Sequence, residues 1–161
     1  MESVQKIGMN IDQRLKELGI ELPHPPQPVG NYQAWLQRGN LLFISGQLPI
    51  ENGQRRFTGR VGAELTEEQG YAAARLAGLN VLGQIRAALG GFDRLESLLR
   101  LEGHVASAPD WHNAPKVLDG ASDLFTTVLG DRGRHTRAAF TPARLPLDVA
   151  VELVVTASVR S

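Results

Sequence analysis

Cysteine is absent from this chain of 161 residues. Disulfides, thiolate nucleophiles and sulfur-ligated metal sites are therefore excluded. Long apolar runs are missing too, and nothing approaches the roughly 18 consecutive apolar residues of a membrane span. The opening Met1-Glu2-Ser3-Val4-Gln5-Lys6 lacks an apolar signal core. The cytoplasm is thus the expected compartment, with no membrane partner. Net charge is also lacking, with 17 basic and 17 acidic residues. A neutral chain exerts no overall pull on nucleic acid or anionic lipid, so nucleic acid is not an expected partner. His24, His104, His112 and His135 are scattered without metal-ligand spacing, and no metal is expected. Neither a GxxxxGK[ST] loop nor a GxGxxG turn occurs.

What is present looks globular. The 42% apolar and 21% charged content suits one folded domain. A chain of this length buries about two-thirds of its unfolded surface. Val4, Ile7, Ile11, Leu15 and Leu18 recur at helical spacing and predict a helix over residues 3–18, stopped by Gly19. Four prolines within residues 23–28 then require an extended surface linker. Strands are predicted over 32–37, 40–45 and 55–61, with Leu42 and Ile44 on one face and Leu41, Phe43 and Ser45 on the other. Thr66-Glu67-Glu68-Gln69 is a capping-box signature opening a helix to about Leu89, with Leu76, Leu79, Leu82, Ile85 and Leu89 on one face. A strand over 98–106 should place Leu99, Leu101 and Val105 together. A second long helix is predicted over 110–129, interrupted by Pro115, and final strands over 135–141 and 148–159. The expected fold class is α+β: a mixed sheet with two long helices on one face. The other sheet face is rich in Val, Leu and Phe with no layer left in the chain to cover it, which predicts an oligomer.

Some residues stand out chemically. Arg137 lies among Ala and Phe in a predicted strand. It is either paired structurally or held ready for a carboxylate, which its planar fork grips at two points. Glu152 lies in the most apolar strand, where burial should raise its pKa; it is either an acid–base group or a partner of a neighbouring arginine. Ser45-Gly46-Gln47 ends a strand as a plain turn or as a hydroxyl and amide facing a ligand oxygen.

Two stretches resemble one family. Gly39–Pro49, with Ser45-Gly46-Gln47-Leu48-Pro49, is similar to the Ser-Gly-Gln-hydrophobic-Pro strand end of YjgF/RidA (reactive-intermediate deaminase) proteins. Arg137–Glu152, with Arg144-Leu145-Pro146, resembles their arginine strand, turn and last strand. The likeness spans roughly residues 29–160. The helix and proline linker of residues 1–28 look like those of a longer branch, whose members are often named endoribonucleases or chorismate-mutase-like proteins. The resemblance implies a chorismate-mutase-like domain over 29–161 and a homotrimer with a central barrel and clefts between subunits. It also implies hydrolytic deamination of 2-imino acids without a cofactor. It places carboxylate binding on Arg137 and water activation on Glu152. The remaining cleft contacts fall on Tyr32, Ser45, Gly46, the backbone of Ala139, and Asp119 as the nearest helix residue. Asn31, Ala138 and Ala139 depart from the family pattern, which leaves the substrate open. A non-catalytic small-carboxylate sensor is the alternative function, and endoribonuclease ranks third.

Overall fold

The computed structural model describes residues 10–161. Residues 3–9 of the predicted N-terminal helix, with Val4 and Ile7, lie outside the described residues. Helix α1 runs Ile11–Glu17, and the Asn10 side chain accepts from the amide of Gln13 at its start. It ends in a Schellman turn: Ile20 N–H reaches Leu15 C=O, Gly19 N–H reaches Lys16 C=O, and Gly19 has φ 67°. Ile11, Leu15 and Leu22 are buried in the same core as the sheet residues.

Strands β1 (Trp35–Arg38), β2 (Leu41–Gln47), β5 (Leu95–Val105), β6 (Thr136–Phe140) and β7 (Val151–Val159) form one sheet in the order β1-β2-β7-β5-β6. The β5–β6 pair is parallel and the other pairs antiparallel. β3 (Ile50–Glu51) and β4 (Gln54–Arg55) make a separate hairpin. Asn52 and Gly53 both have positive φ at its tip, the geometry of a two-residue hairpin turn. The strand predicted over 55–61 is thus mostly irregular, with isolated bridges at Thr58 and Val61. The first predicted strand starts later than expected, because Gly30–Ala34 turns back on itself through Tyr32 N–H to Gly30 C=O.

Helix α2 (Glu67–Leu89) carries the full capping box between Thr66 and Gln69 and ends at Gly90 with φ 68°. Helix α3 (Ala114–Leu129) begins at the proline that the sequence suggested would interrupt it: Pro115 stands in the first turn, where a missing N–H is harmless. Leu82 and Ile85 are fully buried on α2 as expected, but small residues share that face with them. Ala73, Ala74 and Ala77 have no exposure, whereas Leu76 and Leu79 flank them half-buried. Close helix contact is the reason. A side chain on Gly120 of α3 would overlap the backbone carbonyl of Tyr71 of α2.

The two long helices cover one sheet face, as expected. Leu42 and Ile44 of β2, and Val151, Leu153, Val155, Ala157 and Val159 of β7, point into that core. On β5 the alternation slips. A bulge between Leu98 and Arg100 lets Leu98 and Leu101 share the core and turns Leu99 outward, 38% exposed. The opposite face presents Leu36 against Phe43, and Phe140 beyond His104, all exposed at 41–45% apart from the histidine.

Candidate functional site

Glu152 stands on that outer face of β7, directly across from His104 of β5. Burial raises its carboxyl above the ordinary glutamate range, and the nearby His104 partly offsets the shift. Gly46 lies against it. β2 slips register between Ile44 and Gln47, and a side chain on Gly46 would overlap the Glu152 carboxylate. Glycine lets the carboxylate lie here without being displaced. Ser45 is fixed beside it: its hydroxyl donates to Gln33 C=O at 2.6 Å, and its amide donates to Ala34 C=O. Tyr32 is 48% exposed, and its hydroxyl accepts from the amide of Val29 at 3.3 Å. Tyr32, Ser45 and Gly46 line one pocket with Gln47, Gln84 and the proline segment Pro26–Val29.

Arg137 lies elsewhere. It pairs in register with Leu101, so it faces the helices at the β6 edge of the sheet. Its Nη1 donates to Asp119 Oδ1 at 2.8 Å and to Ser122 Oγ at 3.0 Å, and Nη2 donates to Pro115 C=O at 3.2 Å. The chain continues behind it. His135 Nδ1 lies 2.6 Å from Gly133 C=O, which only accepts, so Nδ1 carries a proton. In the neutral ring Nε2 then accepts from Ser122 Oγ at 2.9 Å. Ser122 thereby turns a lone pair toward Arg137. Among the described residues Arg137 Nε bonds nothing, and Nη2 keeps one hydrogen. Asp119, expected to line a cleft, is the counterion of Arg137. Ala139 follows two residues on along the exposed end of β6.

The expected residues therefore fall into two groups. Tyr32, Ser45, Gly46 and Glu152 gather at the bulged end of β2. Arg137, Asp119 and Ala139 gather at β6. Arg137 lies two strand steps of about 4.8 Å across and three residues along from Glu152, and their side chains leave opposite faces of the sheet. One chain does not bring them together. Gln84 and His135 were missed as site residues from sequence. A glutamine in an amphipathic helix reads as surface, and His135 shows no ligand spacing. Among the described residues no group of His, Asp and Glu is placed to hold a metal ion, and no helix is long and apolar enough to cross a membrane.

The comparisons with known proteins agree with this architecture. Residues 12–158, including α1 and the proline segment, match the family described as "YjgF/chorismate mutase-like, putative endoribonuclease". Protein TCP17 of Trypanosoma cruzi is 42% identical over 140 residues, covering 86% of this chain and 88% of that protein. A solved structure titled a "putative endoribonuclease" from Shewanella oneidensis is 37% identical, with TM-score 0.90, and covers 93% of this chain and 99% of that one. E. coli TdcF, solved with bound serine, shares the fold at 23% identity and TM-score 0.62, covering 86% of this chain and 94% of that one. Fold, motif order and these matches together establish that the chain belongs to the YjgF/chorismate mutase-like family.

Proposed function

We propose that the protein hydrolyses 2-imino acids to 2-keto acids and ammonia in clefts between the subunits of a cytoplasmic homotrimer. The observation that carries this is the division of the site. Arg137 retains Nε and one Nη2 hydrogen at one sheet edge, while Glu152 lies against Gly46, next to the pocket of Ser45 and Tyr32, at another place on the same chain. A second copy supplies the missing half to each. Arg137 of one subunit grips the substrate carboxylate. Water attacks the imine carbon while Glu152 of the next subunit takes a water proton and passes it to the nitrogen, giving a carbinolamine; Glu152 then moves the hydroxyl proton to the same nitrogen as the carbonyl forms. The carbon–nitrogen bond breaks and ammonia leaves. A carboxyl that burial makes readier to hold a proton is better suited than an ordinary glutamate to hand one back. The scheme uses no cofactor. TdcF, which shares the fold, was solved with bound serine, and this supports a small carboxylate as the ligand class.

Asp119 on Arg137 favours a second reading, a carboxylate sensor without turnover, because a resident carboxylate competes with an incoming one. Endoribonuclease activity finds no support in the zero net charge. The test follows imines generated by an amino acid oxidase, with and without the protein. Faster imine loss that disappears in Arg137→Ala supports deamination. Carboxylate binding without faster loss selects the sensor.

A further inference from the structure

Residues 23–28, expected to run extended along the domain surface, are held there by specific contacts. Pro23 C=O approaches Gly83 of α2 so closely that a side chain there would lie 3.0 Å from it. The next residue, Gln84, is 2% exposed. Its amide nitrogen donates to Pro26 C=O and to Gln47 Oε1, both at 3.3 Å. The Gln47 amide, itself 5% exposed, donates to Ser45 C=O at 3.0 Å and Gly46 C=O at 3.4 Å. One turn earlier, Asn80 donates to Leu48 C=O and Ile50 C=O. The proline segment is thus tied through two buried amides to the Ser45-Gly46 bulge.

The pocket enclosed in this way has a distinct chemistry. Pro26, Pro28, Val29, Ala34, Leu48 and Ile50 supply apolar walls, and no lining residue is charged. The amide donors of its floor are committed to one another. Each amide nitrogen has two hydrogens, and all four are used within the Gln84–Gln47 relay. A charged side chain entering here would lose water and meet no opposite charge.

We propose that the segment Pro26–Val29, latched by Gln84, is the wall that receives the substrate's side chain and restricts this protein to 2-imino or 2-keto acids with uncharged side chains. This rests on the deaminase reading for its placement beside the reacting carbon, but the selection itself concerns binding. The latch makes Gln84 a positioning residue and Val29 a specificity residue.

The experiment measures two things on the full chain. One is loss of imines generated from leucine, methionine, glutamate and arginine. The other is calorimetric binding of the leucine-, glutamate- and arginine-derived 2-keto acids. The wild-type protein is expected to prefer uncharged over charged ligands by about tenfold or more. Val29 is 75% exposed, so substitutions there leave the core intact. Val29→Asp should raise the arginine/leucine ratio, and Val29→Lys should raise the glutamate/leucine ratio. A purely structural effect cannot move the two in opposite senses. Gln84→Met cuts the latch and should weaken the wild-type preference for uncharged ligands in the folded protein. Keto acids bound with the expected preference but no imine turnover would remove the deaminase reading and leave this inference standing. Equal use of charged and uncharged ligands, no binding of any keto acid, or ratios indifferent to both Val29 variants would overturn it.

Discussion

Gly46 has no side chain because Glu152 occupies the space one would need. Gly46→Ala should therefore displace the carboxylate, cost about 1–3 kcal/mol in stability and reduce imine turnover more than carboxylate binding. Denaturant melts read beside single-substrate kinetics check this split. Glu152 itself is held in a place that disfavours its charge. Its folded pKa lies above the ordinary glutamate value of 4.5. Stability linked to it is whole below that value and is lost as pH rises through the raised one. Glu152→Gln should thus be more stable than the parent at neutral pH, with the gap closing in acid below the ordinary range. Melting temperatures across pH test the sign, and an equal gap at all pH values refutes it. At Arg137, Lys keeps the charge but loses the fork, and carboxylate affinity should fall by about 1–3 kcal/mol in titration calorimetry. That both residues are polar groups in apolar strands was legible in sequence. That Arg137 is anchored by Asp119, Ser122 and Pro115 was not, because the helix residues reach it only after β6 docks beneath α3.

Among elements, the strongly patterned ones were readable. β7 alternates without a fault, and α2 begins at its capping box. Two failures have different causes. The Asn52-Gly53 hairpin signal stood in the sequence, but flanking strands of two residues each were too short to show alternation. The bulge in β5 left no local mark, because it is defined by the register β5 takes against β7. Helix α1 is short but buries Ile11 and Leu15, and Leu22 follows it into the core. Deleting residues 1–22 should cost about 3–6 kcal/mol, the lower part of the range for three buried aliphatic side chains once a compact unfolded chain is allowed for. It spares the segment Pro26–Val29, so keto acid binding should persist in the folded remainder. A folded remainder that binds nothing would assign α1 itself to the site.

At the scale of the whole molecule, the sheet's outer face decides behaviour. Leu36, Phe43 and Phe140 stand there exposed, and no helix of the described chain crosses them. An apolar face of this kind is normally closed by a partner. Light scattering should give three times the 17.5 kDa of one chain. Phe43→Lys should lower that mass and abolish turnover together, while circular dichroism stays that of a folded chain. A fully active monomer would remove both the trimer and the shared cleft.

The placement of Arg137 and Glu152 on opposite sheet faces has a genetic consequence. If each cleft draws its arginine from one subunit and its glutamate from the next, two dead proteins can rescue each other. Arg137→Ala chains still carry a sound glutamate, and Glu152→Gln chains still carry a sound arginine. Unfolded together in equal amounts and refolded, they should assemble mixed rings in which about one cleft in four is intact. Activity should return to about a quarter of the parental level, although neither parent of the mixture has any.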